Sequence, residues 1–168
     1  MSVEQSLRES NRVVVGVDGS KPSQEALRWA RFMAEATGST LEAVMVWQPV
    51  SAYNWGTMGW AAVPSDWNPA EEALRVLTSA VDEVFGPTKP EGLVLTVREG
   101  GGAAPALIDI SNGAQTLVVG SRGHGGFAGL LLGSVSTACA EHASCPVLVI
   151  HGVTSPPSRP ARPSDADE

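Results

Sequence analysis

Between Gly120 and Ser136 the chain reads GSRGHGGFAGLLLGSVS, with six glycines in the first fourteen positions. The stretch follows the apolar run Leu117-Val118-Val119 and ends where a helix can begin. Glycine has no Cβ, so its backbone can take positive φ and bring N–H groups close to an anion; successive N–H groups form a concave anion site. A helix starting at Ser134 adds unpaired amides and the positive end of its dipole. Gly120, Gly123 and Gly133 would then give the approach, and Ser134, Val135 and Ser136 the donors, two of them with hydroxyls as well. That is a phosphate cradle built from backbone. Arg122, inside it, would pair with a phosphate or face water, and His124 would act as a general acid only with a partner that the sequence does not identify. The spacing is not a P-loop, since no lysine follows Gly133, and it is not the G-x-G-x-x-G of a first βα turn.

A cradle needs elements to hold it. Val13-Val14-Val15-Gly16-Val17 reads as a strand buried on both faces, because it is β-branched without alternation. A helix follows from about Lys21 to Thr37, capped by Ser20, with Pro22 in its first turn. It would bury Ala26, Leu27, Ala30, Met33 and Ala34 and close at Gly38. Leu41 to Trp47 reads as a second strand. Asn68 then caps a helix opened by Pro69, with Ala70, Ala73, Leu74, Leu77, Val81 and Val84 on one face until Gly86. Leu93 to Val97 is a third strand, Ala103 to Asn112 a short helix, and Thr116 to Val119 a fourth strand. Ser134 to Ala143 is a last helix and Val147 to Ile150 a fifth strand.

The resulting β-α-β-α-β-α-β-α-β order predicts an α/β fold, a doubly wound five-stranded parallel sheet with helices on both faces. In such open sheets, ligands sit at the carboxyl ends of the strands where the strand order reverses. If the fourth strand neighbours the first, Asp18 and Gly120 flank that crevice. Asp18 would there accept a hydrogen bond from a ribose or base, or help hold a metal at the phosphates; the alternative is an Asx turn into the first helix.

Composition bounds the rest. At 168 residues, 43% apolar and 17% charged, the chain fits one globular domain. A net charge of -7 offers no general attraction to nucleic acid or to an anionic membrane, so a phosphate must be caught locally. No secretory-type apolar stretch stands in Met1 to Arg12 and no run approaches a bilayer span, which reads as cytoplasmic. Cys139 and Cys145 read as buried thiols, with a redox pair as the alternative. Residues 1–10 read as a flexible tail, 11–151 as the domain, and 152–168, rich in proline, as a disordered tail. Within the domain, residues 48–67 form an insert containing Tyr53, Trp55, Trp60 and Trp67, either a lid or a floppy insert, whose aromatics would anchor a ligand or partner, cover the sheet edge or pack in a dimer contact. Glu99 and Asp109 read as solvated charges.

The spacing Gly120-x2-Gly123-x9-Gly133-Ser134 meets every term of G-2x-G-9x-G-[ST], and by it the sequence resembles the universal stress proteins of the ATP-binding kind. Val15-Gly16-Val17-Asp18-Gly19-Ser20 is similar to that family's first strand and acidic turn, and Cys145-Pro146-Val147-Leu148-Val149-Ile150 to its last strand. The resemblance covers about residues 11 to 151. It implies a nucleotide-binding protein with strand order 3-2-1-4-5, taking ATP with or without Mg²⁺, and a homodimer paired through Val147, Leu148, Val149 and Ile150. By carry-over, Gly16 and Asp18 lie near the ribose or adenine and Val46 meets the base. Gly120, Arg122, Gly123, Gly133, Ser134, Val135 and Ser136 surround the phosphates. The Trp-rich insert is not a family signature, and the chain carries one such domain where some members carry two. Two functions remain open: a nucleotide-dependent stress-response and signalling module, or a slow Mg-dependent ATPase, which needs a positioned water, a base and usually a metal.

Overall fold

The structure, a computed structural model, describes residues 11–48, 68–123 and 131–157. The tail at 1–10, His124, nearly all of the Trp-rich insert and the chain beyond 157 lie outside the described residues. The strands are β1 (Arg12–Gly16), β2 (Thr40–Trp47), β3 (Val94–Glu99), β4 (Thr116–Gly120) and β5 (Val147–Ile150). Between them run α1 (Lys21–Thr37), α2 (Pro69–Phe85), α3 (Ala103–Ile110) and α4 (Ser134–His142). All five strands are parallel, in the order β3-β2-β1-β4-β5, so the fourth strand does neighbour the first.

The valine run of β1 divides between two cores. Val13 and Val15 join Leu27, Ala30, Leu77 and Val81 under α1 and α2, and Val14 joins Val44, Leu107, Leu117, Val119 and Cys139 under α3 and α4. Alternation across a strand buried on both faces requires both sets to be apolar, which is why the sequence shows no period there. The helix ends follow local chemistry. The Ser20 side chain accepts from the Ser23 amide, and Gly38 takes the left-handed conformation (φ 67°) with its N–H on the Ala34 carbonyl. Asn68 caps α2 by accepting from the Ala70 amide at 3.1 Å.

On α2 the buried stripe is Ala73, Leu77, Ala80, Val81 and Phe85. Leu74, expected inside, is 46% exposed. It sits at the margin of the stripe, while Phe85 completes the contact with α1 by lying under the Arg31 guanidinium, 5.3 Å from its ring centroid. At the amino ends of the strands, Arg12 binds Glu42 at 2.6 Å and the Ile110 carbonyl at 2.5 Å, and Thr96 donates to Glu42 at 2.7 Å. One half-buried cation thus ties β1 and β2 to the negative end of α3 and, through Glu42, reaches β3. Among the described residues no helix is long and apolar enough to cross a membrane.

Candidate functional site

At the opposite, carboxyl ends of β1, β2 and β4, where the strand order reverses, the sheet opens into a cavity of about 470 Å³. The ten residues that the sequence assigns to a ligand site all line it: Gly16, Asp18, Val46, Gly120, Arg122, Gly123, Gly133, Ser134, Val135 and Ser136. Four separate segments bring them there, from β1, β2, β4 and the start of α4.

The α4 terminus is built differently from those of α1 and α2. Its N-cap is Gly133, in an extended conformation (φ −76°, ψ 162°), and no side chain caps the helix. Gly133 is held in place by its own amide on the Ser121 carbonyl at 2.7 Å, and its carbonyl accepts from Thr137 at 2.9 Å. Helix geometry gives the amides of Ser134, Val135 and Ser136 no intrahelical carbonyl. Three donors and the positive dipole end therefore face the cavity. The Ser136 hydroxyl is not among them: it is buried and donates to the Gly120 carbonyl at 2.6 Å, fastening α4 to β4. Where the sequence suggested a hydroxyl donor, Ser136 has its proton committed and offers its amide; the exposed hydroxyl on this turn is that of Ser134.

Asp18 forms the Asx turn and also stands at the cavity. Its Oδ1 accepts from the Ser20 amide at 3.0 Å and the Ser20 hydroxyl at 2.5 Å, an Asx turn into α1. Its amide donates to Ser23 Oγ at 3.3 Å, and that hydroxyl donates to the Ser20 carbonyl at 2.9 Å. The carboxylate so fixed also lines the cavity and lies against Gly123, where an added Cβ would run into Oδ2.

The glycines act through space, not through positive φ. None of Gly16, Gly120, Gly123 and Gly133 is in the left-handed region. A Cβ on Gly120 would come within 2.8 Å of the Pro22 backbone in the first turn of α1, and one on Gly16 within 2.9 Å of Leu107. Gly133 differs, since a Cβ there would meet only ordinary contacts, the nearest being the Ser121 carbonyl at 3.5 Å. Packing thus accounts for Gly16 and Gly120, the Asp18 carboxylate for Gly123, and no close contact among the described residues for Gly133.

The other side of the cavity is apolar. Val44 and Val46, two apart on β2, share it with Val17, Val119, Leu107 and Ala103, and Leu132 and Ser23 complete the lining. Sequence reasoning missed all of these except Val46. The period-2 neighbour of Val46 was a usable signal for Val44, whereas Leu107 and Ala103 come from a helix whose orientation only packing decides. The β2 backbone adds a polar edge. Val17 donates to the Val44 carbonyl at 2.8 Å, and Gly100 donates to the Trp47 carbonyl at 3.0 Å. By the alternation of a parallel ladder, the N–H and C=O of Val46 turn to the β1 side of the sheet, beyond the Gly16 that ends β1.

Among the described lining residues Asp18 is the only carboxylate and Arg122 the only cation. No group of three or more His, Cys, Asp or Glu suited to a metal occurs among the described residues. Cys139 and Cys145 are free thiols in the α4 core. Burial, with a smaller contribution from Cys145, pushes the Cys139 thiol up to about 11, so it stays protonated at neutral pH.

Comparison with known proteins agrees with this architecture. The sequence model of the Universal stress protein family matches residues 9–151. A universal stress protein of Mycobacterium tuberculosis is 33% identical over 149 residues, covering 89% of this chain and 46% of the relative. The chain therefore spans about half the length of the curated relatives it matches. Universal stress protein UspA from Lactobacillus plantarum has a similar fold at 19% identity, with a TM-score of 0.63 over 83% of this chain and 97% of that one. A universal stress protein in complex with cAMP is 28% identical, with a TM-score of 0.52 over 84% of this chain and 97% of that one. With a family match spanning all of the five-stranded sheet and its helices, the chain belongs to the universal stress protein family.

Proposed function

We propose that the cavity binds an adenine nucleotide, with ATP as the ligand, and that the protein is a cytoplasmic, nucleotide-dependent stress-response and signalling module. The observation that carries this is the uncapped start of α4: three amides and the Ser134 hydroxyl meet an apolar slot between Val44, Val46 and Leu107 in one cavity. An anion-binding end joined to a flat apolar slot matches a phosphate chain joined to a base. The Val46 N–H and C=O offer a donor and an acceptor side by side, which complements the N1 acceptor and N6 donor of adenine. Gly16 and Asp18 fall between the two ends, where the ribose would lie, and Arg122 flanks the phosphates. The 28% identical relative in complex with cAMP lends support to an adenine ligand.

Mg²⁺ fits this site only as a companion of the nucleotide. Among the described residues Asp18 would be the one protein carboxylate, with phosphate oxygens and water filling the remaining positions. The ion would neutralise phosphate charge, and the chain's own residues would hold and orient the nucleotide. Residues 11–151 form the nucleotide-binding domain in this reading, with 48–67 as an insert and 152–168 as a tail. We further propose a homodimer through β5. It is an edge strand carrying half-buried Val147, Leu148 and Val149, and an apolar edge of that kind is best covered by pairing.

The deciding experiment is to denature freshly purified protein, identify any nucleotide released, and then incubate the native protein with ATP and Mg²⁺ while following ADP. Bound ATP without turnover supports the module. Steady phosphate release would replace it with the slow ATPase, and no adenine nucleotide bound at millimolar ATP would overturn the proposal.

A further inference from the structure

After β5 the chain does not leave the domain. Thr154 lies against α1, where the Trp29 indole N–H donates to the Thr154 carbonyl at 2.5 Å. Thr154 Oγ1 donates to the His151 carbonyl at 3.0 Å, which closes a turn that aims the contact. Trp29 is itself anchored, packed against the α1–α2 core and edge-on to Phe32 at 6.0 Å between ring centroids. A rigid ring with one directed donor therefore holds a segment that is otherwise mostly exposed.

The root of this strap is joined to the cavity by backbone. The Ser121 amide donates to the carbonyl of Ile150, the last residue of β5, at 2.7 Å. The Ser121 carbonyl accepts, also at 2.7 Å, from Gly133, the N-cap of α4. Ser121 is buried between Gly120 and Arg122, both of which line the cavity. A single residue, through its two flanking peptides, thus links the donor turn of α4 to the point where the strap departs. An anion seated on the α4 amides would restrain Gly133, and through Ser121 it would restrain Ile150 and the direction in which His151 leaves.

We propose that the strap at 151–157 is the element that reports cavity occupancy: it docks on Trp29, and docking and nucleotide binding favour one another. This rests on the nucleotide reading above, and linkage requires the effect to be reciprocal. A filled cavity holds the strap down; an empty one lets it lift and expose Trp29.

The test uses the Trp29 indole proton. In a ¹⁵N spectrum its resonance is assigned by its loss in Trp29→Phe, which keeps an aromatic ring in the core but has no donor. Hydrogen exchange of this proton is measured with and without saturating ATP, and again in a chain ending at Gly152, with ATP affinity measured by calorimetry in all three proteins. The expected result is slow exchange that becomes about fivefold slower or more with ATP, and ATP affinity lower by the same factor in both variants. Equal exchange in the full and shortened chains would overturn docking. Saturation by ATP with exchange and variant affinities unchanged would overturn the linkage alone. Failure of ATP to bind the full chain while exchange still depends on the strap would overturn the nucleotide reading and the linkage, and leave the docked strap standing.

Discussion

Replacement of Gly123 by alanine adds one carbon at a place where the structure states what it would strike. The new Cβ would overlap Oδ2 of Asp18, whose other oxygen is held by the Ser20 amide and hydroxyl. Gly123 is outside the left-handed region, so the substitution tests space and not backbone strain. The carboxylate must swing away and give up bonds worth about 1.5–3 kcal/mol for a charged acceptor, taken at the low end because Asp18 is exposed and water can replace them. A ligand that bonds the carboxylate where it stands loses a contact of similar worth and should then bind about 10 times more weakly, at about 1.4 kcal/mol per tenfold. Folding should lose no more than that low-end amount, about 1.5 kcal/mol. Gly120→Ala is the contrasting case, because its Cβ meets the Pro22 backbone at 2.8 Å and a helix turn cannot swing aside. Overpacking of that kind costs about 1–3 kcal/mol, and at about 2–4 °C per kcal/mol for a domain of this size the melting temperature should fall visibly.

Calorimetric titration with ATP and a thermal scan of both variants separate the two effects. Gly123→Ala with ATP affinity within about twofold of wild type would refute the placement of Asp18 at the ligand. Gly120→Ala with an unchanged melting temperature would refute the claim that Gly120 serves the fold.

Gly133→Ser should act in opposite directions on folding and binding: its Cβ has room, its hydroxyl can cap α4 for a gain of a few tenths of a kcal/mol, and one satisfied amide worth about 1 kcal/mol should weaken ATP about fivefold. Unaltered affinity with raised stability would show that the α4 amides do not meet the ligand. Ser134→Ala should weaken ATP by about 0.5–1.5 kcal/mol, or up to about 3 if the hydroxyl meets a charged phosphate, read by calorimetry. At pH 8 a thiol reagent should modify Cys145 in the native protein and reach Cys139 only on unfolding. The Cys139 thiol, pushed up to about 11 by burial, holds its proton when the unfolded thiol has lost it, so stability should decline as pH rises from about 9 to about 11. At about 1.4 kcal/mol per unit the decline is about 2–3 kcal/mol, and Cys139→Ala should flatten it; denaturant titrations across that range that show the same slope in both proteins would refute the assignment.

These contrasts also mark where the sequence was readable. Strand order, Ser20, Asn68 and Gly38 followed from local rules, because a β-branched run, a capping oxygen and a left-handed glycine each act within a few residues. The ten site residues converge on one cavity because β1, β2, β4 and α4 all present their ends at the same edge of a parallel sheet. Leu107 and Ala103 were not legible: α3 is apolar around most of its surface, so its period does not say which side faces the cavity. Gly16 held the missing information, since it is small where Leu107 presses on it, but a glycine in a strand reads equally as a turn, a bulge or a close approach. The same ambiguity explains the error about positive φ in the motif glycines. A sequence shows that Cβ is absent, and only the neighbouring atoms show whether the reason is dihedral, a packed backbone as at Gly120, or a charged side chain as at Gly123. Gly133 remains as the one motif glycine at which a Cβ would meet only ordinary contacts among the described residues, and that room together with the uncapped amides beside it is the strongest physical argument that something else belongs there.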